Sequence, residues 1–600
     1  MSNTRKKYWN FSQVKERIVR RLHDFFEDFS FYFGLFVLLL VVYDVGFPHV
    51  IKYLYFGAIY LIYLASFAIT LSLRTLRYPP SGVVNKILQW IPVLLLAGFC
   101  YYKFTVLQLK PDFKSYSYYG GLVLCFVLIL LDSSRKVLQI YTKRFNPALA
   151  FILSFVMLSL MGCGLLMLPR ATVNGISFTD ALFTAVSAVC VTGLSTLDTA
   201  TEFTRLGKFF ILMLIQLGGL GVLSFTSFFG YLYKGGFSIE NQLFLKDFVT
   251  AEKVSDTFKS LSQIIVITLL VEIIGVVGIY FTVGDEAFAT WGQRLRFSIF
   301  HSISAFCNAG FSTVPNGLFN SYLRMDYDFQ LVICFLIIIG GLGFPILTDI
   351  YYYGKHYVVQ LGAWVIRRKP IRHLPRTVSA NSSIVLLTTF LLLVVGIVTF
   401  FITEYYGILY QHTTWYGKLI TSFFASVTPR TAGFNTFDMT LMQPATILIY
   451  LLLMWIGASP ASTGGGIKTS TFAVAILNIL SLAKGSDRVE FRRRQIPSES
   501  VRRAFSTISL SLLIIGPAIL IITVLEPDKQ LISIAFECFS AFSTVGLTLG
   551  ITSELSEGAK IVLVIIMFIG RVGSFTLFVA FIRQTKAINY RYPSETIFIN

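Results

Sequence analysis

Ser187–Thr196 reads SAVCVTGLST, Ser304–Thr313 reads SAFCNAGFST, Val427–Thr436 reads VTPRTAGFNT and Ser540–Leu549 reads SAFSTVGLTL. Each stretch holds one central glycine, Gly193, Gly310, Gly433 and Gly546, followed by Leu or Phe (Leu194, Phe311, Phe434, Leu547) and then a small polar residue (Ser195, Ser312, Asn435, Thr548). The glycines recur at intervals of 113 to 123 residues, which marks an internal repeat. Upstream of each lie about ten mostly apolar, helix-compatible residues, such as Asp180 to Ala188 and Ile532 to Phe542, half the roughly 20 needed to cross a bilayer. These read as re-entrant half-helices. Downstream, the next long helix carries a second related cluster: Gly218-Gly219-Leu220-Gly221, Gly340-Gly341-Leu342-Gly343, Gly457-Ala458-Ser459-Pro460 and Gly570-Arg571-Val572-Gly573. One repeat is therefore helix, half-helix, glycine loop, helix, and four copies in one chain surround one axis with pseudo-fourfold symmetry.

The composition around this repeat is that of a membrane protein. Of 600 residues, 55% are hydrophobic and only 14% charged, and the mean hydropathy is +0.70. Apolar runs of spanning length recur, among them Phe31 to Phe47, Leu54 to Leu73, Phe151 to Leu168 and Ile561 to Phe581. They are continuous rather than alternating, so they predict helices and not barrel strands. The first run is too long, and preceded by too many mixed-charge residues, for a cleaved signal peptide. The net charge of +19 lies between the apolar runs, as the positive-inside bias requires, and not on a soluble aromatic-interleaved face, which excludes nucleic acid as a partner. Seven cysteines, including Cys100, Cys125, Cys163 and Cys334, show neither a disulfide framework nor zinc spacing.

Basic clusters set the topology. Arg5, Lys6, Lys7, Lys15, Arg17, Arg20 and Arg21 keep the N-terminus cytoplasmic; Arg74, Arg77 and Lys86 follow two spans, and Arg135, Lys136, Lys143 and Arg144 follow four. Eight further long helices are predicted at about 148–169, 208–233, 260–283, 329–353, 382–403, 442–480 with an interruption, 505–525 and 560–584, for about twelve spans in all. Arg367, Arg368, Lys369, Arg372 and Arg376 fall after the eighth, and Lys484, Arg488, Arg492 to Arg494, Arg502 and Arg503 after the tenth, so the C-terminus is also cytoplasmic. The expected fold is thus an all-α polytopic membrane protein: four helix, pore-helix, filter-loop and helix repeats in pseudo-fourfold arrangement, plus about four N-terminal transmembrane helices. The expected divisions are a basic cytoplasmic N-terminus (1–30), the extra helices (31–146), repeats at 147–255, 256–378, 379–500 and 501–585, and a cytoplasmic C-terminus (586–600).

Glycine in such a loop frees the backbone to adopt positive φ and aim successive carbonyls at an axis, where they replace a cation's water shell. Non-helical backbone at membrane depth is tolerated where protein or a water-filled cavity surrounds it. The half-helices add C-terminal partial negative charge, which favours cations. Glu537, in the fourth half-helix, reads either as a carboxylate near the ion or as a hydrogen-bond acceptor behind the filter. In the third repeat, Ala461-Ser462-Thr463-Gly464-Gly465-Gly466 interrupts an apolar helix with three consecutive glycines, too costly for a helix interior. There, unlike in the other repeats, a loop beneath the filter is expected to form a gate. Lys468 and Arg571 are ionisable groups at membrane depth, where a functional role is the first reading.

Over residues 147–585 the sequence resembles the Trk/Ktr/HKT superfamily, in particular its bacterial potassium-uptake membrane subunits. The four glycine loops, GASPASTGGGIKTST (Gly457–Thr471) and GRVGSFT (Gly570–Thr576) carry that resemblance. It implies a potassium filter lined by backbone carbonyls of Val191, Thr192 and Gly193, of Asn308, Ala309 and Gly310, of Thr431, Ala432 and Gly433, and of Thr544, Val545 and Gly546. Only Ser543-Thr544-Val545-Gly546 approaches the potassium-channel TVG pattern, which implies weaker rejection of sodium; Gly193, replaced by serine in sodium-transporting plant members, favours potassium. The resemblance further implies a gate formed by Ser462 to Gly466 with Lys468, and with Arg571 below the filter as an electrostatic barrier. It implies a homodimer with one pore per subunit in the cytoplasmic membrane, contacts with membrane lipid, and a cytosolic ring of nucleotide-binding (RCK-type) regulatory subunits. The chain itself has no Walker sequence or Rossmann strand pattern, so no cofactor is expected in it beyond the transported potassium ion. An inverted-repeat transporter would show broken spans in two matching halves instead of four direct repeats. An enzyme would need a His/Asp/Glu constellation, whereas the six histidines are scattered.

Overall fold

The computed structural model describes residues 11–47, 53–77, 128–129, 147–221, 257–284, 288, 290–367 and 379–581. Four apolar helices head the four repeats: α3 (Pro147–Leu166), α6 (Thr257–Thr282), α10 (Ala380–Thr403) and α14 (Ser498–Leu525). Their outward faces are apolar and exposed, as at Val266, Ile273, Phe390, Leu513 and Leu520. An exposed apolar surface of this extent has lipid as its solvent. Before them stand α1 (Phe11–Gly46) and α2 (Tyr53–Arg77), packed through Val37, Tyr63 and Phe67 and tied by the Tyr60 hydroxyl donating to Asp44 Oδ2 at 2.9 Å.

Behind each outer helix comes a short one: α4 (Phe178–Val189), α7 (Trp291–Phe306), α11 (Trp415–Val427) and α15 (Leu531–Phe542). The first three start at side-chain caps, with Ser177, Thr290 and Thr414 accepting from the backbone N–H of Asp180, Gln293 and Gly417. The inner helices follow: α5 (Arg205–Leu220), α8 (Tyr327–Leu342), α12 (Pro444–Trp455) and α16 (Glu557–Val572). Thr204, Asp326 and Ser556 cap three of them. The third has no side-chain bond from its own cap residue; instead buried Glu404, at the end of α10, accepts from the Gln443 N–H at 2.9 Å and from Thr446 Oγ1 at 2.5 Å.

The core is a ring of four clusters, each seated between neighbouring repeats. Phe155, Ile211 and Leu214 of the first repeat meet Phe300, Phe306 and Phe311 of the second; Phe297 and Phe329 of the second meet Phe424 and Phe434 of the third. Phe400 and Tyr450 of the third meet Phe536 and Leu547 of the fourth, and Ile534, Leu563 and Met567 of the fourth return to Phe183 and Val186 of the first. Close van der Waals packing between repeats, and not escape from water, thus joins them into one ring, because lipid tails are as apolar as these side chains.

One expectation is corrected. The inner helices were expected to continue through the glycine clusters except in the third repeat, but a break occurs in all four. α5 stops at Leu220 before Gly221 (φ 79°), α8 turns by 106° at Gly343 (φ 84°) into α9 (Phe344–Arg367), and α16 stops at Gly573 (φ 90°) before α17 (Ser574–Phe581). The left-handed glycine ends each helix, so an apolar run of spanning length becomes two shorter pieces. Among the described residues four helices are individually long and apolar enough to span, or five with the bent α8–α9 pair. Helix α1 begins at Phe11, so Lys15, Arg17, Arg20 and Arg21 of the basic N-terminal stretch lie on the helix that continues into the first apolar run. The third and fourth N-terminal spans and the 586–600 tail lie outside the described residues, as does 222–233 of the second long helix. The basic segment after α13 (Thr469–Ala483) forms a small hairpin, β1 (Glu490–Phe491) against β2 (Arg494–Gln495).

Candidate functional site

The short helices end at the glycine loops. In each loop two residues of three take positive φ: Val191 (57°) and Gly193 (92°), Asn308 (59°) and Gly310 (69°), Thr431 (67°) and Gly433 (74°), Thr544 (52°) and Gly546 (92°). The intervening Thr192, Ala309, Ala432 and Val545 do not. Alternating handedness turns successive carbonyls to one side of the strand. For β-branched Val191, Thr431 and Thr544 a left-handed φ costs about 1–3 kcal/mol each. Bonds from the loop back to the short helices hold it: Thr192 N–H to Ser187 O at 2.8 Å, Ala309 N–H to Ser304 O at 2.7 Å and Val545 N–H to Ser540 O at 2.8 Å. The Ser187 and Ser540 hydroxyls also accept from the N–H of Gly193 and Gly546, both at 3.1 Å.

The four glycines close a ring. An ideal Cβ on Gly193 would stand under 3.0 Å from Ala309 O, one on Gly310 from Ala432 O, one on Gly433 from Val545 O, and one on Gly546 from Thr192 O. Each glycine is thus pressed against the backbone of the next repeat, and the second and fourth repeats face each other across the axis. Outside the ring opens a cavity of about 560 Å³, lined by Ser195, Ser312, Asn435 and Thr548 and, further out, by Asp198 and Asp438. Glu537 takes the second of its two expected roles. It is buried behind the fourth loop, its carboxyl accepting from Thr548 Oγ1 and, at 2.9 Å, from Thr552 Oγ1.

Beneath the ring lies the interrupted third inner helix. Between α12 and α13 the chain runs as a loop whose glycines press against the glycine loops above: a Cβ on Gly464 would stand under 3.0 Å from Thr431 Oγ1, and one on Gly465 from Thr544 Oγ1. Gly465 N–H donates to Thr544 Oγ1 at 2.9 Å. On the far side Thr463 Oγ1 donates to Gly340 O at 3.2 Å, Ser459 Oγ to Gly341 O at 2.8 Å, and Ser462 Oγ to Ser459 O at 2.6 Å. Lys468 Nζ folds back to Gly464 O at 2.6 Å. Arg571, from the fourth repeat, donates to Thr463 O of the loop and, at 2.6 Å, to Gly218 O of the first repeat. All the expected gate residues therefore come together below the glycine ring; the loop touches the second, third and fourth repeats, and Arg571 links it to the first.

The second glycine cluster also acquires a reason. A Cβ on Gly218, Gly340 or Gly570 would fall under 3.0 Å from the last carbonyl of a short helix, Val189 O, Phe306 O or Phe542 O respectively. The inner helices are bare there so that the short helices can reach the axis. Sequence reasoning missed the left-handed residues two before each glycine, the Glu404 cap, and His301, a buried histidine behind the second loop. Only His301 had an available signal, since it occupies in the second repeat the register that Glu537 occupies in the fourth.

Four short helices with a closed ring of glycine loops, set among lipid-facing helices, define a multi-pass membrane protein built around one axis. The family described as "TrkH: Cation transport protein" matches residues 127–590. The chain is 37% identical to "Potassium/sodium uptake protein NtpJ" of Enterococcus hirae, over 76% of this chain and 98% of that one. It is 35% identical to "Ktr system potassium uptake protein B" of Bacillus subtilis, over 76% and 97%. The crystal structure of the potassium transporter TrkH from Vibrio parahaemolyticus superimposes with a TM-score of 0.56 at 19% identity, covering 83% of this chain and 97% of that one, a likeness of fold. The chain belongs to the TrkH cation transport family, whose members are transporters and not enzymes.

Proposed function

We propose that this protein takes up potassium, with sodium as a competitor, through the axis of the glycine ring. The observation that carries this reading is the mutual contact of Gly193, Gly310, Gly433 and Gly546 with the carbonyls of Ala309, Ala432, Val545 and Thr192. Carbonyls gathered so closely replace a cation's hydration shell and repel an anion. The short helices aim their negative ends at the same axis. Relatives named for potassium uptake and for potassium/sodium uptake support the choice of ions. The loop from Ile456 to Lys468, pinned by Arg571, is the gate, and the conformation described is the closed one. Its release belongs to a cytosolic nucleotide-binding subunit; "Ktr system" in a relative's name speaks for an assembly of several components. The working form is a homodimer, one pathway per subunit, in the lipid of the cytoplasmic membrane with both termini inside. Rubidium uptake by a potassium-uptake-deficient cell, with the regulator supplied and sodium as competitor, is the test. Wild type should take up rubidium and prefer potassium, while Gly193→Ser, which puts a side chain against Ala309 O at φ 92°, should lose that preference. A well-inserted wild type that moves no rubidium overturns the reading.

A further inference from the structure

The residue two after each filter glycine (Ser195, Ser312, Asn435, Thr548) lines the outer cavity immediately above the ring. The residue nine before each glycine lies behind the same loop, and here the repeats differ: Thr184, His301, Phe424 and Glu537. Two of these, in repeats that face each other across the axis, are titratable, fully buried and bonded to the cavity residue of their own loop. His301 is 0% exposed and Glu537 1%. His301 Nδ1 lies 3.0 Å from Phe297 O and Nε2 lies 3.0 Å from Ser312 Oγ. A carbonyl only accepts, so Nδ1 carries the proton of the neutral ring and Nε2 accepts from the serine. The Glu537 carboxyl accepts from Thr548 Oγ1 in the same way. On the other side of each hydroxyl a backbone N–H donates to the oxygen, from Val314 at 3.2 Å and from Gly550 at 2.9 Å. Val314 O, at 3.4 Å, is the more distant acceptor for the Ser312 proton, and Thr552, also 2.9 Å from Thr548 Oγ1, gives its one proton to Glu537 Oε2; with the proton sent backwards and one lone pair occupied, each oxygen keeps a lone pair for the cavity.

We propose that His301 and Glu537 are positioning residues that set ion preference at the outer mouth, by taking the hydroxyl protons of Ser312 and Thr548 and so presenting two opposed oxygens to the entering cation. The inference rests on the cation-pathway reading above. Backed from behind, these oxygens stand at a fixed separation across the axis, which favours one ion size. Without the acceptor the hydroxyl rotates and turns its proton to the ion.

The test is concentration-dependent rubidium uptake with sodium competition, at matched membrane levels. His301→Leu and Glu537→Ala should raise the rubidium KM and strengthen sodium inhibition by about 3- to 10-fold, the worth of one hydrogen bond, with a much smaller change in maximal rate. Glu537→Gln, which keeps an acceptor, should lose less than Glu537→Ala. Should a buried variant fail to accumulate, Ser312→Ala and Thr548→Val break the same contacts from the cavity side and should give the same shift. Adding Ser312→Ala to His301→Leu should then add nothing. Unchanged KM and sodium inhibition in Ser312→Ala and Thr548→Val, or additive shifts in the double variant, overturn the proposal. Failure of the pathway reading is separate, because it shows in the wild type before any substitution.

Discussion

On the proposed gate reading, Arg571 is the residue that holds the loop in place. Its guanidinium reaches from the fourth inner helix to Thr463 O in the loop and Gly218 O in the first repeat, so one side chain ties three parts of the ring together. Hydrogen bonds from a charged donor contribute about 1.5–3 kcal/mol each, and their geometry exists only while the loop lies under the filter. A cation held there also opposes a passing cation, so bond and charge act in the same direction. Arg571→Ala removes both, and rubidium uptake without the regulator should rise about tenfold, the effect of some 1.4 kcal/mol on a closed-to-open equilibrium. Arg571→Lys, which keeps the charge but not the planar fork, should fall between. If the arginine served the fold alone, Arg571→Ala would instead fail to accumulate in the membrane.

The loop in the third repeat shows how far an element can be read from sequence. Three consecutive glycines announce a helix break, and that much was legible in Gly464-Gly465-Gly466. Their second reason was not, because it depends on neighbours about 33 and 79 residues away in sequence: Thr431 and Thr544 leave no room for a Cβ above Gly464 and Gly465. The same holds for the breaks at Gly221, Gly343 and Gly573, where the last glycine of a short cluster looks like ordinary helix packing until its φ is known. Likewise the filter glycines were legible from repetition, whereas the left-handed Val191, Thr431 and Thr544 were not, since β-branched residues carry the opposite local preference. Tertiary contact decides these positions. If the loop is the gate proposed above, deleting Ser462 to Gly466 should increase rubidium uptake. Unchanged or abolished uptake in a correctly inserted protein would speak against the gate.

At the scale of the whole molecule the question is what holds a ring of four repeats shut when the chain that makes it is linear. Three junctions join consecutive repeats, but the fourth joins the last to the first, and no chain connection supports it. The family model matches from residue 127, beyond α1 and α2, and the contacts that close the ring come from the repeats themselves. Its apolar half is the cluster of Phe183 and Val186 with Ile534, Leu563 and Met567. Its polar half is an ion pair 380 residues apart in sequence: Lys560 Nζ donates to Asp180 Oδ1 at 2.9 Å, joining the start of the fourth inner helix to the start of the first short helix. The two side chains are 13% and 18% exposed, which removes most of the solvent screening that makes surface pairs nearly worthless. Breaking such a pair leaves a half-buried charge without its partner, a loss of about 1–3 kcal/mol. Asp180→Asn and Lys560→Met should therefore each lower the melting temperature of the purified protein in detergent. Because Asp180 also accepts from Ser177 at the cap of α4, the asparagine variant keeps that cap bond and isolates the ion pair. The double variant should lose less than the two single losses combined, since each charge is costly chiefly in the absence of the other. Strict additivity in that cycle would mean that the apolar cluster alone closes the ring.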